Sequence, residues 1–261
     1  MDSISICKTH LELLKGILVS SIEEYPGFLV VKSYLNDNWY DSITITNPKL
    51  LDWDFLMTVA NNLKETGIDY ALYFPIEFLP VLIPLLDSTF KRVGGDSYMV
   101  ITKIPGTFTS ISKEIQIELV TKENFNDYKA LINEIHGNEM GWPATKRFSD
   151  RMFKVQEANS SNEKQVELFL AYYHDKPVGY SSSITSKELS TTYLTASGVL
   201  SEYRGKGIYS SMISSRLNKA IELGLQTAYV ITGQEGSSWN VAKKFGYEEV
   251  GKFEYYLRNS S

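Results

Sequence analysis

Apolar residues along the chain recur with two periods, near 3.6 and near 2, and the switches between them mark the expected helices and strands. The first helix is expected over Ser5–Ile22, then strands at Gly27–Leu35 and Tyr40–Thr46 and a helix over Asp52–Glu65. A strand at Asp69–Phe74 follows, then an apolar helix around Phe78–Phe90 that carries Pro80 and Pro84, and a strand at Asp96–Thr102. Pro105-Gly106-Thr107, with Ser110 and Ser112 close behind, reads as a linker.

After the linker the pattern restarts. A strand at Ile115–Val120 leads to a helix over Asn124–His136, a loop Gly137–Pro143 and a helix over Lys146–Ala158. Strands are expected at Val166–Tyr173, Pro177–Thr185 and Leu189–Val199, the first two joined by the turn Asp175-Lys176-Pro177. The helix Ile208–Leu223 places Ile208, Met212, Ile213, Leu217, Ala220 and Ile221 on one face, and Gly224 stops it. A strand at Thr227–Thr232, a helix at Ser237–Phe245 and a strand at Glu249–Leu257 close the chain.

The two halves echo each other. Phe90–Val100 aligns without gaps on Tyr247–Leu257, sharing the pairs Val93/Val250, Gly94/Gly251 and Tyr98/Tyr255, each segment following an apolar helix. With a similar order of strands and helices on both sides, this predicts two tandem domains, 1–108 and 113–261, the first a worn copy of the second. The first half has no glycine between the strand ending near Thr46 and the helix at Asp52, so one ligand cradle per chain is expected.

Composition narrows the partners. The 26 basic and 31 acidic residues leave a net charge of −5, which offers no electrostatic footprint for nucleic acid or an anionic membrane, so a small molecule or peptide is the expected partner. Cys7 is the single cysteine, which excludes an intrachain disulfide and fits a reducing compartment. His10, His136 and His174 lack ligand spacing, and no metal is expected. Met1–Ser21 lacks the cationic start and cleavage site of a signal peptide, and the apolar runs are too short to span a bilayer, so a cytoplasmic location is expected. Composition leaves a homodimer open.

The chemistry centres on Leu200-Ser201-Glu202-Tyr203-Arg204-Gly205-Lys206-Gly207, between an expected strand and an expected helix. Glycines there permit positive φ and bring N–H groups to a ligand without a Cβ in the way. The helix that follows adds unpaired donors and the positive end of its dipole, which together suit a pyrophosphate. A nucleotide P-loop needs another glycine spacing, and a dinucleotide fold needs a third glycine where Ser210 stands. The plain alternative is a tight turn bearing two solvated charges.

Val199-x-x-x-x-Arg204-Gly205-Lys206-Gly207-Ile208 and Ser238-x-x-Val241-Ala242-x-Lys244-Phe245-Gly246-Tyr247 resemble the GCN5-related N-acetyltransferase (GNAT) superfamily. The resemblance covers the C-terminal half and only faintly the N-terminal half. It implies an α/β (α+β) fold with a mixed, mostly antiparallel sheet flanked by helices, and acetyl transfer from acetyl-CoA to a primary amine of a small molecule or peptide. The cofactor-binding residues it implies are Ser197, Val199, Arg204, Gly205, Lys206, Gly207, Ile208, Tyr209, Ser210, Glu235 and Ser238. Pantetheine would pair like an extra strand near Ser197–Val199, where two parallel strands splay.

Three positions depart from the family pattern. Tyr209 replaces a small residue and is expected to narrow the space beside the phosphates, Glu235 replaces an asparagine, and Ala242 stands where a thiolate-protonating tyrosine is common. The last departure leaves a non-catalytic CoA-binding or sensing module, and beyond it a scaffold built of two worn copies, as alternatives. Tyr193 and Ser197 are the polar residues nearest the expected reaction centre, and Glu139, in the loop that also holds Trp142, could attract a substrate ammonium. These three are the candidate catalytic residues. His136, at a helix end, reads as a cap or solvated residue.

Overall fold

The structure, a computed structural model, describes residues 1–68, 70–86, 88–108, 112–137, 142–158 and 163–258, with the backbone alone at 142–144. In chain order the elements are α1 (Ser3–Leu14), β1 (Val19–Tyr25), β2 (Phe28–Ser33), β3 (Ser42–Ile45), α2 (Trp53–Glu65), β4 (Ala71–Pro75), α3 (Leu79–Leu82) and β5 (Phe90–Ile101). They continue as β6 (Ile115–Leu119), α4 (Phe125–His136), α5 (Trp142–Ala158), β7 (Lys164–Tyr173), β8 (Lys176–Ser186) and β9 (Thr191–Val199). The chain ends with α6 (Ile208–Glu222), β10 (Thr227–Gly233), α7 (Ser237–Lys244) and β11 (Glu248–Arg258).

These elements form two compact units, one of Met1–Met99, Thr232–Lys243 and Glu249–Ser261, the other of Val100–Ile231 and Lys244–Glu248. The grouping differs from the expected domains 1–108 and 113–261, because the last strand gathers with the first half. The reason is strand pairing: β11 runs antiparallel to β4, from Phe253↔Pro75 to Leu257↔Ala71. In the first unit the strand order is β1-β2-β3-β4-β11-β5, and in the second β10-β9-β8-β7-β6. Each unit has one parallel pair, β3 with β4 and β9 with β10. The fold is the expected mixed, mostly antiparallel sheet flanked by helices.

Two expected helices are shorter than their apolar runs. The helix predicted over Ser5–Ile22 stops at Leu14, and Gly16, at φ +84°, turns the chain so that Val19–Tyr25 becomes a strand paired with β2. Gly16 N–H donates to Val19 O at 2.8 Å, closing the turn. The helix predicted around Phe78–Phe90 ends at Leu82, ahead of Pro84, which has no N–H to continue it. β5 starts six residues earlier than the predicted Asp96 and runs through Gly94-Gly95. A Cβ at Gly95 would stand 2.8 Å from the carbonyl oxygen of Phe253, so this glycine marks a close strand approach, not a break.

In the first unit α2 buries Leu56, Ala60 and Leu63, at helical spacing, against Phe28, Val30, Ile43, Ile45, Leu72 and Phe74. Tyr73, Tyr98, Phe253 and Tyr255 form a second aromatic layer, with Tyr73 and Phe253 stacked at 4.7 Å. Asp96 lies within this layer, accepting from the Tyr73 hydroxyl at 3.4 Å and from Tyr255. Burial raises its carboxyl from 3.8 to about 6, against the opposing pull of the two tyrosine hydrogen bonds.

The folded state therefore holds the Asp96 proton more tightly than the unfolded chain. The associated stability is present below about pH 4 and is lost as pH rises through about 6. Asp96→Asn keeps an acceptor for the tyrosines without the charge. We expect it to raise stability at pH 7.5 by on the order of 2 kcal/mol and to change little at pH 3.5, as read by urea unfolding at both pH values.

Candidate acyl-transfer site

The second unit contains a strand that leaves its neighbours on both sides. On one side β9 pairs with β10 only from Thr191↔Thr227 to Tyr193↔Tyr229, although β9 continues to Val199. The ladder closes on the stacked rings of Tyr193 and Tyr229, with centroids 4.8 Å apart and planes 9° off parallel. On the other side the register to β8 runs Gly179↔Val199 and Tyr180↔Gly198, then resumes at Ser182↔Thr195. Ala196 and Ser197 thus stand opposite Ser181 alone, which is a β-bulge. Ala196 has φ +40°, and among the described residues it is the only non-glycine at positive φ inside a strand. The splay beyond Tyr193 and the bulge expose the backbone of Ala196 and Ser197 at one place.

The two faces of this sheet differ. A Cβ on Gly179 would meet Ile208 Cγ2 at 3.1 Å, so that residue faces α6. Its neighbour Tyr180 faces the opposite way, edge-on to Tyr128 of α4, since successive strand residues alternate. The Tyr180 ring covers Gly198, where a Cβ would come within 2.5 Å of Tyr180 Cε1. Its hydroxyl lies 2.7 Å from His136 Nε2, at the last residue of α4. His136 is therefore not the solvated cap expected from sequence but half of a tyrosine–imidazole pair over the bulged end of β9.

Beyond Val199 a short 3₁₀ turn, Ser201–Tyr203, leads to Arg204. Gly205 and Gly207 follow at φ +80° and +83°, and α6 starts at Ile208 with Gly207 as its N-cap and no side-chain cap. Ser211 N–H reaches Gly207 O at 2.9 Å and closes the first helical bond. The N–H groups of Ile208, Tyr209 and Ser210 come before any intrahelical acceptor, and α6 has no acidic residue in its first turn. Space around a Cβ at Gly205 is open to 4 Å, so the turn fits a ligand that lies against the backbone. Arg204 Nε folds back to Val199 O at 3.2 Å, and Lys206 Nζ lies over the rings of Tyr173 and Tyr203 at 4.8 and 5.1 Å.

The corresponding helix of the first unit is built in the opposite way. Asp52 caps α2, its carboxylate accepting from Phe55 N–H at 3.0 Å, and Asp54 adds a second negative charge in the first turn. The two acids make that helix start unfavourable to an anion.

Residues 131–247 match the model of the acetyltransferase (GNAT) family. This segment is a GNAT domain. Among solved structures, the chain is similar to a GCN5-related N-acetyltransferase from Kribbella flavida, at 12% identity and TM-score 0.70, covering 100% of this chain and 97% of that one. It is also similar to a functionally unknown conserved protein from Staphylococcus epidermidis, at 17% identity and TM-score 0.68, covering 94% and 96%. A tandem GNAT protein from the clavulanic acid biosynthesis pathway aligns at 9% identity and TM-score 0.55, covering 90% and 83%. At such identities the likeness is one of fold. No protein with a curated description matches the chain.

Within the GNAT domain the expected residues Ser197, Val199 and Arg204 to Ser210 come together at the end of β9 and the start of α6, with Tyr193 at the fork of the parallel pair. Glu235 and Ser238 fall in the stretch that groups with the other unit. Glu235 sits at φ +57°, its carboxylate 3.6 Å from Lys252 Nζ, and Ser238 lies in α7. Tyr209, expected to narrow the space beside the phosphates, is half-buried in the first turn of α6 within electrostatic reach of Arg216, and burial raises its hydroxyl pKa. Glu139 and the Trp142 side chain lie outside the described residues. A pocket of about 340 Å³ between α4 and α5 is lined by Lys129, Lys146 and Asp150 together with Ile132, Asn133 and Ser149, a net positive lining that does not favour an ammonium. Among the described residues no group of three or more His, Cys, Asp or Glu could hold a metal ion, and no helix is long and apolar enough to cross a membrane.

The contact between Tyr180 and Gly198 supplies a direct check on this geometry. Gly198→Ala places a methyl group where the ring lies, so the ring has to swing away and its bond to His136 is lost. We expect a loss of about 1–3 kcal/mol in thermal unfolding, together with a shifted His136 imidazole resonance.

Proposed function

We propose that this GNAT domain transfers an acetyl group from acetyl-CoA to a primary amine of a small molecule or peptide. The observation that carries the reading is the bare start of α6: two left-handed glycines and three N–H groups ahead of the first helical bond, with no side-chain cap among the described residues. A diphosphate is the anion that such a turn accommodates. Backbone donors from Gly205 to Ser210 would hold it, and the unpaired edge of β9 from Ala196 to Val199 would take the pantetheine amides in the manner of an added strand.

Bound acetyl-CoA supplies an activated acyl group with a thiolate as leaving group. Ala196 and Ser197, outside the β8 register and beyond the β10 ladder, present N–H donors for the charge that develops on the acyl oxygen. The attacking amine must lose a proton as the C–N bond forms and the C–S bond breaks. His136, bonded to Tyr180 on the α4 face, is the base the geometry offers, with Tyr180 as the hydroxyl that passes the proton. Tyr193 forms the floor of the fork. The thiolate has an intrinsic pKa of about 8.5 and can leave without a dedicated acid. This matters because Ala242, buried in α7, brings no hydroxyl.

Ala242 also favours a second reading, a domain that binds CoA without turnover. Thiol release from acetyl-CoA mixed with a panel of primary amines separates the two, since a sensor binds and releases no thiol. Gly205→Val tests the cradle itself. The side chain has room, so the fold should survive at a cost of about 1–2 kcal/mol for a β-branched residue at positive φ. We expect acetyl-CoA affinity by calorimetry to fall at least about tenfold; unchanged affinity would defeat the assignment. His136→Gln is expected to lower kcat by about a hundredfold with little change in acetyl-CoA affinity, checked by steady-state kinetics on the amine that turns over.

A further inference from the structure

The apolar face of α6 contains a charge that the proposed chemistry has not used. Arg216 lies one turn after Met212 and is 3% exposed, on the same helical face as Ile208, Met212 and Ile213. A guanidinium in such a place is costly unless its donors are satisfied. Among the described residues it has no carboxylate partner, and its hydrogen bonds go to main-chain oxygens instead. Nε donates to Met212 O at 3.1 Å, and Nη1 donates to Ser182 O at 2.8 Å and to Thr195 O at 3.4 Å. Burial lowers its pKa from 12.5 to about 10, so the side chain keeps its proton at neutral pH.

The two sheet oxygens belong to one pair. Ser182 and Thr195 are directly opposite each other, at the point where the β8–β9 register resumes after the bulge. A single nitrogen therefore clamps both strands at the base of the bulge, and the Ser182 hydroxyl adds a bond to Thr195 O at 3.2 Å. The carbonyl of Thr195 and the N–H of Ala196 are the two ends of one peptide group. A cation at the oxygen end polarises that group and makes the N–H end a stronger donor. It also holds Ala196 at its φ of +40°, a conformation an alanine leaves readily when nothing fixes it.

We propose that Arg216 is a positioning residue for acyl transfer: through Ser182 O and Thr195 O it fixes the bulge of β9 and strengthens the Ala196 N–H as the donor to the acyl oxygen. The proposal rests on the acyltransferase reading and names a device within that site. It accounts for a cation at a core position, where a leucine or methionine would pack without desolvating a charge.

The test compares Arg216→Met, which fills the space without charge, with Arg216→Lys, which keeps a cation. Wild-type calorimetry with acetyl-CoA comes first, and absence of binding there sinks the cofactor reading and this proposal with it. Given binding, both variants should hold acetyl-CoA within about threefold of wild type, because the diphosphate is gripped at the other end of α6. The carbonyl 13C resonance of bound, carbonyl-labelled acetyl-CoA should move downfield in wild type, return toward the free position in R216M and remain partly shifted in R216K. With an amine that turns over, kcat should drop at least about tenfold in R216M and less in R216K, at nearly constant KM for acetyl-CoA. Loss of charge at this buried site need not lower stability, so a thermal midpoint near wild type in R216M, together with the lost carbonyl shift, separates positioning from mere packing. Should R216M not fold, the comparison is made between wild type and R216K, where a carbonyl shift smaller than wild type supports the proposal. An identical carbonyl shift in wild type and every folded variant, or kcat losses that follow only the fall in thermal midpoint, would overturn it.

Discussion

The start of α6 is the constraint on which the functional reading turns. A helix leaves its first N–H groups without partners, and proteins usually answer with a side-chain cap. This chain does so elsewhere: Asp2 caps α1 through Ser5 N–H, and Asp52 caps α2 through Phe55 N–H. At α6 it places Gly207 instead, with no side-chain acceptor and no acid in the first turn. A glycine N-cap costs only about a few tenths of a kcal/mol against a side-chain cap, and an anion seated on the turn more than offsets it. α2 and α6, two helices that each follow the first strand of a parallel pair, thus differ in their starts: one is closed by acids and the other is left open to an anion.

The second constraint is the departure of β9 from both neighbours. A strand within a sheet normally has its N–H and C=O groups paired on both sides. Here the β10 ladder ends at Tyr193, and the bulge takes Ala196 and Ser197 out of the β8 register. The proposed site is thus made from backbone: donors of a helix start, and the open edge of a strand beside them. Side chains enter as supports from the two faces. Arg216 reaches Ser182 and Thr195 from α6, and Tyr180 with His136 covers Gly198 from α4.

Much of this was legible in the residues. Gly205 and Gly207 announced positive φ, the strand before and helix after them were periodic, and the family resemblance pointed to Ser197 to Ser210. What stayed hidden has identifiable causes. Gly16 ended α1 early, and Leu18, Val19 and Ile22 fall at helical spacing, which extended the expected helix to Ile22. The strand expected from Asp96 starts at Phe90, and the close approach of Gly95 to Phe253 O that accompanies this involves a strand more than 150 residues away in sequence. Tyr180 and His136 are separated by 44 residues, and only the pairing of β8 with β9 and the packing of α4 bring them together. Arg216 was overlooked because an arginine on a helix reads as solvated, although its place one turn after Met212 on the buried face was a signal available in the sequence.

The buried charges of the two units make a final point about why such groups persist. Asp96 in the first unit and Arg216 in the second each lie among aromatic or apolar neighbours, and neither has an opposite charge among its hydrogen-bond partners. Their environments differ in kind. Asp96 accepts from tyrosine hydroxyls, which can equally receive a bond from a protonated carboxyl, so that aspartate can give up its charge, and its raised pKa is the consequence. Arg216 faces main-chain carbonyls, which only accept, and a guanidinium has no means of shedding its proton near neutral pH. A charge that its surroundings cannot neutralise, fixed against a bulged peptide of a sheet, acts as a permanent electrostatic element. It orients that peptide for as long as the fold holds.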